Sequence, residues 1–209
     1  MNNLNSQGGN AARITYGNKD NKVSPYLKAW VAQMDSQSNI RRCVVGVIAP
    51  GTSRMIQANW SSPFEQSNLG NIFDKAAALT QMKTGETSIT KFSSTQIWEG
   101  NRPHSFNLVL LFYAISDALK EVMEPLRELE KMMGYEENAI MPGGRIPGAV
   151  EINIGRNMLV KDCVIESMSV PLDGERTKDG YLVRAEATLN ISTKVMLNKN
   201  DIGTTWPQS

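Results

Sequence analysis

The sequence predicts a mainly β chain with one long helix, an α+β protein folded as an antiparallel β-barrel or sandwich with the helix on its flank. Several short apolar runs end at Gly, Pro or polar turns, as is typical of strands. Only residues 116–133 combine helical periodicity with the length of a long helix. There is no alternating strand–helix rhythm and no internal repeat with a period of about 20–50 residues.

The composition allows one cored domain and excludes a strong global attraction to charged partners. The chain has 209 residues, of which 41% are hydrophobic, and it carries 22 Lys and Arg against 21 Asp and Glu. This balance gives no overall field that would attract nucleic acid or a membrane surface. No window approaches the ~18 apolar residues of a membrane span, and the N-terminus has no signal-peptide core. We therefore expect no membrane association.

The cysteines and the only histidine restrict the chemistry. Cys43 and Cys163 lie in apolar strand-like runs, so we expect two reduced core thiols. Without histidine partners they cannot complete a four-ligand zinc site. His104, in "NRPHSF", is expected on a surface loop, and any Ser–His or Cys–His mechanism would have to use it. No nucleotide-binding or nucleophile-elbow motif is present. We expect no catalytic residue, no cofactor, no metal and no enzymatic activity.

Three regions are predicted along the chain. Residues 1–40 are an N-terminal arm or extension, because the first 22 residues are rich in Asn, Gly and Ser. Within the arm, residues 24–35 fit either a short helix or a strand. Residues 41–197 form the β-barrel domain, which includes the helix at 116–133. Residues 198–209 form a C-terminal tail.

The first half of the barrel domain is the less regular half. Residues 41–51, "RRCVVGVIAPG", are a continuous apolar run and predict a buried strand. A second strand is expected from residue 53 to about residue 60. Residues 71–85 predict a short helix, and residues 87–100 predict a weakly amphipathic strand.

The segment 105–134, "SFNLVLLFYAISDALKEVMEPLRELEKMMG", changes from strand to helix near Ser116. Both faces of the strand are apolar, so we expect core on one side and a helix or another chain on the other. Ser116 is expected to cap the helix, and Gly134 to end it in the left-handed conformation. Pro125 in the interior should kink it.

The second half of the domain alternates more clearly. Residues 149–155, 159–172 and 181–197 predict three strands, and a polar turn at 173–180 joins the last two as an antiparallel hairpin.

Several large apolar side chains fall outside these periodic elements and predict a subunit interface. Such groups are a liability on a monomer and are ordinary at an interface. The alternative is that those in loops fold back onto their own subunit. The candidate interface residues are Trp60, Pro63, Phe64, Met141, Ile146 and Trp206.

The order of these pieces is itself informative. The strand "FNLVLLFYA" runs into the helix "SDALKEVMEPLRELEKMMG", and then come the loop and strand "MPGGRIPGAVEINIG" and the hairpin that begins "VKDCVIESMSV". Upstream lies "ANWSSPFEQSNLG". Over residues 43–195 this order resembles the tube-type proteins of contractile bacteriophage tails, specifically the baseplate proteins that begin or join the inner tube.

The resemblance implies a barrel of tail-tube type and a homo-hexameric ring. In such a virion protein, the ring at the baseplate end of the inner tube seeds or joins the tube and lines the channel for genomic DNA, without sequence-specific binding. Neighbouring tube and baseplate hub proteins would be its partners, and assembly would take place in the host cytoplasm.

Two other classes of function stay open. One is a tail-completion or adaptor binding module, or a tail terminator. The other is a carboxylate-based baseplate hydrolase, which would need two carboxyl groups within about 10 Å of each other across a cleft.

Overall fold

A computed structural model gives the fold of this chain and describes residues 13–17, 20–34, 40–61, 96–137 and 144–206. The helix predicted at 71–85 and most of the strand predicted at 87–100 lie outside the described residues. Two compact units are present. The first consists of Met1–Met55 with Pro103–Ser209, and the second of Ile56–Arg102.

The protein is mainly β, with 49% of the described residues in strands, and six antiparallel strands close into a barrel. This confirms the predicted mainly β architecture and selects the barrel over the sandwich. The strands are β1 Arg13–Gly17, β2 Lys28–Met34, β3 Arg41–Ile48, β4 Ser53–Met55, β5 Ala58–Ser61, β6 Ile97–Asn101, β7 Ser105–Tyr113, β8 Glu136–Glu137, β9 Gly144–Arg145, β10 Val150–Ile154, β11 Met158–Ser169 and β12 Arg184–Thr193.

The barrel runs β2–β3–β7–β12–β11–β10 and returns to β2. It closes where β3 meets β7, with Val47 opposite Leu111 and Ile48 opposite Leu110. Outside this short contact the two strands part. The parallel strand β1 then pairs with the start of β3, and β4 pairs with the start of β7.

In the core of the barrel, large side chains of one strand lie beside small side chains of the neighbouring strand. On β7 the inward residues Phe106, Leu108, Leu110 and Phe112 are all buried. Their neighbours on β12 become smaller toward one end, where Phe112 lies opposite Ala185 and Leu110 opposite Ala187. Close packing of this kind leaves little free space inside a small barrel.

The predicted boundary at residue 41 is corrected, because the barrel begins upstream of it. β2 lies between β3 and β10 and contributes the buried Ala29 and Val31 to the core. A short 3₁₀ helix, Pro25–Leu27, precedes it. Within the ambiguous segment 24–35, pairing on both edges makes residues 28–34 a strand, which local spacing could not decide.

The predicted single helix 116–133 is also corrected, because it consists of two pieces. A π-helix, Leu119–Met123, leads into the α-helix α1, Glu124–Met133. The N–H of Glu124 bonds to the carbonyl of Leu119, five residues back. Pro125 therefore falls in the first turn of α1, where its missing N–H costs no hydrogen bond. The chain accommodates the proline by changing helix type.

The helix ends differ from the prediction too. Asp117, not Ser116, accepts the N–H groups of Leu119 and Lys120 at 3.1 and 3.3 Å. The Ser116 hydroxyl instead donates to the Glu121 carboxylate at 3.1 Å. Gly134 is extended, with φ −71°, rather than left-handed.

α1 lies across the end of the barrel at which β7 finishes. Its buried Leu126, Leu129 and Met132 belong to the same apolar cluster as the inward residues of the strands. The outer face of β7 was expected to lie under a helix or another chain, and at the buried Val109 it lies close to Gly51. There the Thr52 hydroxyl accepts the Val109 N–H at 3.1 Å.

Polar contacts fix the helix in this position. Gln33, at the end of β2, donates its side-chain amide to the Met132 carbonyl at 3.1 Å. Glu128 is almost fully buried, and it binds Arg42 at 3.1 Å and Lys131 at 2.6 Å. An ionised carboxylate in this position depends on both cations, because burying it unpaired is costly.

The remaining predictions are largely confirmed. β10, β11 and β12 occupy the three predicted strand regions, and β11 and β12 pair antiparallel with a bulge near Ile165. Cys43 and Cys163 are free and buried. The predicted C-terminal tail contains a helix, α2 Lys199–Thr205, with a capping box formed by Asn198 and Asp201. In the described ranges, no helix is long and apolar enough to cross a membrane.

Replacing Gly46 by Ala should destabilise the barrel. The added Cβ would lie 3.0 Å from the Leu110 Cβ and 3.2 Å from two ring atoms of Phe112. Overpacking a filled core costs about 1–3 kcal/mol, and chemical denaturation would measure that loss. Gly203→Ala is the matched control, because its Cβ meets nothing within 4 Å in helix α2. Equal stability of both variants would contradict the packing described for β3.

Replacing Glu128 by Gln should loosen the helix cap. The substitution keeps the shape of the side chain and removes the charge that binds Arg42 and Lys131. We expect a loss of about 1.5–3 kcal/mol in the free energy of unfolding, the range for hydrogen bonds to charged groups. The control is Glu186→Gln, which breaks the exposed Arg184–Glu186 pair and should cost less than about 1 kcal/mol. A smaller loss at residue 128 than at residue 186 would count against the anchoring role.

Candidate functional site

The second unit contains a two-stranded antiparallel ribbon formed by β5 and β6. Trp60 lies directly opposite Trp98, so both indole rings occupy one face of the ribbon. A bulge between Asn59 and Trp60 shifts the register just before this pair. On the other face, the Ser61 hydroxyl donates a hydrogen bond to the Glu99 carboxylate.

The ribbon exposes several large apolar side chains to water. Trp60 is 57% exposed and Trp98 is 55% exposed, and Ile56 and Ile97 are exposed as well. Isolated two-stranded ribbons are at best marginally stable, and exposed aromatic pairs are typical of binding surfaces. The Trp60–Trp98 face is therefore the candidate interaction surface, which we call the tryptophan ribbon.

The predicted interface residues that the structure describes lie in different elements of the chain. Trp60 lies in the tryptophan ribbon. Ile146, between β9 and β10, is 82% exposed, and Trp206, after α2, is 48% exposed. Pro63, Phe64 and Met141 lie outside the described residues. The prediction that these residues form a subunit interface stays a prediction.

Sequence reasoning missed Trp98 as a partner of Trp60. The two residues are 38 positions apart, and each lies in a segment with only weak periodicity. The pairing of β5 with β6 alone brings them onto one face. A possible sequence signal was the presence of one tryptophan in each of two strand-like segments that flank the same long connection.

The expectation for His104 is wrong, because this histidine is 0% exposed. Its backbone N–H donates to the Thr193 hydroxyl at 3.1 Å, and its carbonyl accepts the Thr193 N–H at 3.0 Å. Its ring Nδ1 lies 2.7 Å from Nη2 of Arg54, the central residue of β4. The Arg54 guanidinium lies over the rings of Phe106 and Trp206, at 5.6 and 5.7 Å from their centroids. We call the side chains of Arg54, His104, Phe106 and Trp206 the basic cluster.

The contact between Arg54 and His104 defines the state of the imidazole. Arginine can only donate, so Nδ1 of His104 must accept and the ring must be neutral, with its proton on Nε2. Nε2 of His104 and Nε of Arg54 are buried and have no hydrogen-bond partner. Burial, and then the positive charge of Arg54, lower the pKa of His104 below its ordinary value.

Among the described residues, the carboxyl groups with shifted pKa values are Asp117 and Glu121, and both lie at the start of the helix. Hydrogen bonds from Lys120, first through its side chain, lower the pKa of Asp117. Burial raises the pKa of Glu121, but hydrogen bonds from the backbone of Ser116, Ile115 and Asp117 outweigh it, so the pKa is lowered. Both groups therefore stabilise a helix end, which is a structural role.

Two shallow sites flank the barrel. A groove of about 320 Å³ runs beside the helix, with the apolar Leu119, Met123 and Leu182 among its lining residues. A second, of about 380 Å³, lies between the start of β11 and helix α2. No set of three or more His, Cys, Asp and Glu side chains that could hold a metal ion occurs within the described ranges.

Comparison with known proteins gives no match to a protein-family model and none to a curated protein.

The free energy of unfolding should fall as the pH is lowered, because His104 binds a proton less readily in the folded protein than in the unfolded chain. The pKa of His104 is lowered from 6.5 by folding, so the unfolded chain binds the proton more readily. The free energy of unfolding should be unaffected by this group above about pH 6.5 and should fall by at most about 1.4 kcal/mol per pH unit below it. Urea titrations at several pH values would measure the slope.

His104→Gln is the control for this pH dependence. The amide oxygen of glutamine can still accept from Arg54, but glutamine does not titrate. Its stability should be nearly constant between about pH 7 and about pH 5.5, where ordinary carboxyl groups remain ionised. An equal slope in both proteins would show that His104 is not the group responsible.

Proposed function

We propose that this chain is a structural virion protein that self-associates into a ring at the baseplate end of the inner tube of a contractile phage tail. The ring would be a homo-hexamer that seeds or joins the tube and surrounds the passing genomic DNA. The placement in a tail rests on the resemblance carried by the order of elements between residues 43 and 195.

The tryptophan ribbon is the observation that carries self-association. Trp60 and Trp98 share one face and are both more than half exposed. Aromatic side chains are enriched among the residues that dominate binding energy at interfaces, because they bury a large area at a small entropic cost. A second copy of the chain is the occupant we assign to this face.

The sheet of the first unit offers a second means of association. Its strand order begins at β1 and ends at β4. Among the described strands, each of these two has a partner on one side only. Unpaired strand edges promote pairing with another chain, and in a closed ring such pairing is satisfied by the neighbouring subunit.

Removing the tryptophan ribbon should weaken self-association. In the double variant Trp60→Ser/Trp98→Ser, loss of two aromatic anchors should raise the dissociation constant by about 30-fold or more, since one strong anchor contributes about 2 kcal/mol. Light scattering coupled to size exclusion, over a range of protein concentrations, would measure it. Tyr26→Ser is the matched control, because Tyr26 is an exposed aromatic residue of the first unit.

Two results would count against the proposal. One is a wild-type chain that stays monomeric at high concentration and also in the presence of tail partners. The other is a double variant that assembles as well as the Tyr26→Ser control. A wild-type monomer that binds a single tail protein would favour the adaptor alternative.

A further inference from the structure

The C-terminal segment Asn198–Trp206 contacts the edge strand β4 through one stacked side chain. The Trp206 ring lies 5.7 Å from the Arg54 guanidinium carbon, and Thr205 just before it is buried. Helix α2 also lies against β11. Arg54 is the central residue of the three-residue strand β4, which pairs with β7 and, within the described ranges, with no other strand.

His104 holds Arg54 in the position that Trp206 contacts. The Nη2–Nδ1 distance is 2.7 Å, and the neutral ring supplies the acceptor. None of the ion pairs formed within the described ranges involves Arg54 or His104. The arginine therefore keeps its place through an uncharged acceptor and two aromatic rings, without a carboxylate.

A proton on Nδ1 of His104 would reverse this contact. The acceptor becomes a donor, and two positive charges then lie 2.7 Å apart in a site with 0% exposure of the imidazole. Such a pair is strongly repulsive where water cannot screen it. Hydrogen bonds to Thr193 hold the main chain of His104, and the long, flexible side chain of Arg54 is the group that can move away from the ring.

Other charged groups near the cluster do not offset the added proton. The neighbouring elements carry Lys194 after β12, Lys161 and Asp162 on β11, and Lys199 and Asp201 on α2. The Asp201 carboxylate accepts the Asn198 N–H at 3.0 Å as part of the helix cap. The Asp162 carbonyl accepts the Lys194 N–H at 2.9 Å. No described carboxylate is hydrogen-bonded to the imidazole.

We propose that residues 198–206 form a latch on β4 that neutral His104 keeps closed and that protonation of His104 releases. Protonation displaces Arg54 and removes the cation–π contact with Trp206. The latch then leaves the end of the barrel, and the edge strand β4 loses its C-terminal neighbour. The inference concerns the isolated chain and does not depend on the proposed place of the protein in a tail.

The single histidine makes this inference directly testable on the full-length protein. Because His104 is the only histidine in the sequence, its Cε1–H group gives a single carbon–proton correlation in an NMR spectrum, which reports its titration. Fluorotryptophan labelling gives four fluorine signals, and a Trp206→Phe sample identifies that of Trp206. We expect the Trp206 signal to change with the same midpoint as His104, and the amide protection factors in Lys199–Thr205, corrected for intrinsic exchange at each pH, to fall by about tenfold or more. A Trp206 signal that stays constant while His104 titrates overturns the proposal.

Two variants separate latch release from general unfolding. His104→Gln should keep the Trp206 signal in its closed position across the same pH range, and a transition that persists in it overturns the proposal. Should that variant fail to fold, Arg54→Gln gives a second test. Without the cation, the pKa of His104 should rise toward its ordinary value and the Trp206 signal should no longer follow it. A Trp206 signal that still follows His104 in Arg54→Gln overturns the proposal as well.

Discussion

The closure of the barrel between β3 and β7 is the contact on which the rest of the fold depends. These strands pair only through Val47 with Leu111 and Ile48 with Leu110, and then diverge. Their separation makes room for β1 on β3 and for β4 on β7. Without closure, neither the filled interior nor the position of the helix across one end would be defined. The short pairing of β3 with β7 thus determines the positions of the two edge strands, β1 and β4.

The two ends of the barrel are stabilised by different kinds of interaction. At the end covered by α1, apolar side chains join the core, and Glu128 is neutralised by Arg42 and Lys131. At the other end, Arg54 has no carboxylate partner among the described residues and relies on a neutral histidine and two aromatic rings. A neutral histidine acceptor is lost when the imidazole takes up a proton, so the contact at this end depends on pH.

The sequence was sufficient to predict the regular strands and insufficient to predict how they meet. The inward residues of β7 and β12 alternate with a period of two, so Phe106 or Leu189 could be assigned to a core without a structure. Closure at Val47 and Leu111 joins residues 64 positions apart and leaves no local signal. From the sequence alone, residues 28–34 could not be assigned to a strand or a helix, because Trp30 and Met34 also recur at helical spacing.

The candidate sites depended on the same long-range information. Trp60 could be proposed because it is a large apolar residue outside clear periodicity, but its neighbour Trp98 required the register of the ribbon. His104 was misplaced because Pro103 and its polar surroundings are typical of a loop, whereas it is buried in contact with Arg54, which lies 50 positions away in the sequence. Pro125 did signal a disturbed helix, although not its resolution into a π-turn.

The filled interior of the barrel has a consequence for transport. Phe106, Leu108 and Phe112 are buried inside the barrel, so the interior of one copy of the chain is filled with side chains. Any passage in the proposed ring must therefore run between copies of the chain. The diameter of that passage would then be set by the number of copies and the angle between them. Substitutions within the core of one copy would alter the rigidity of that copy without widening the passage.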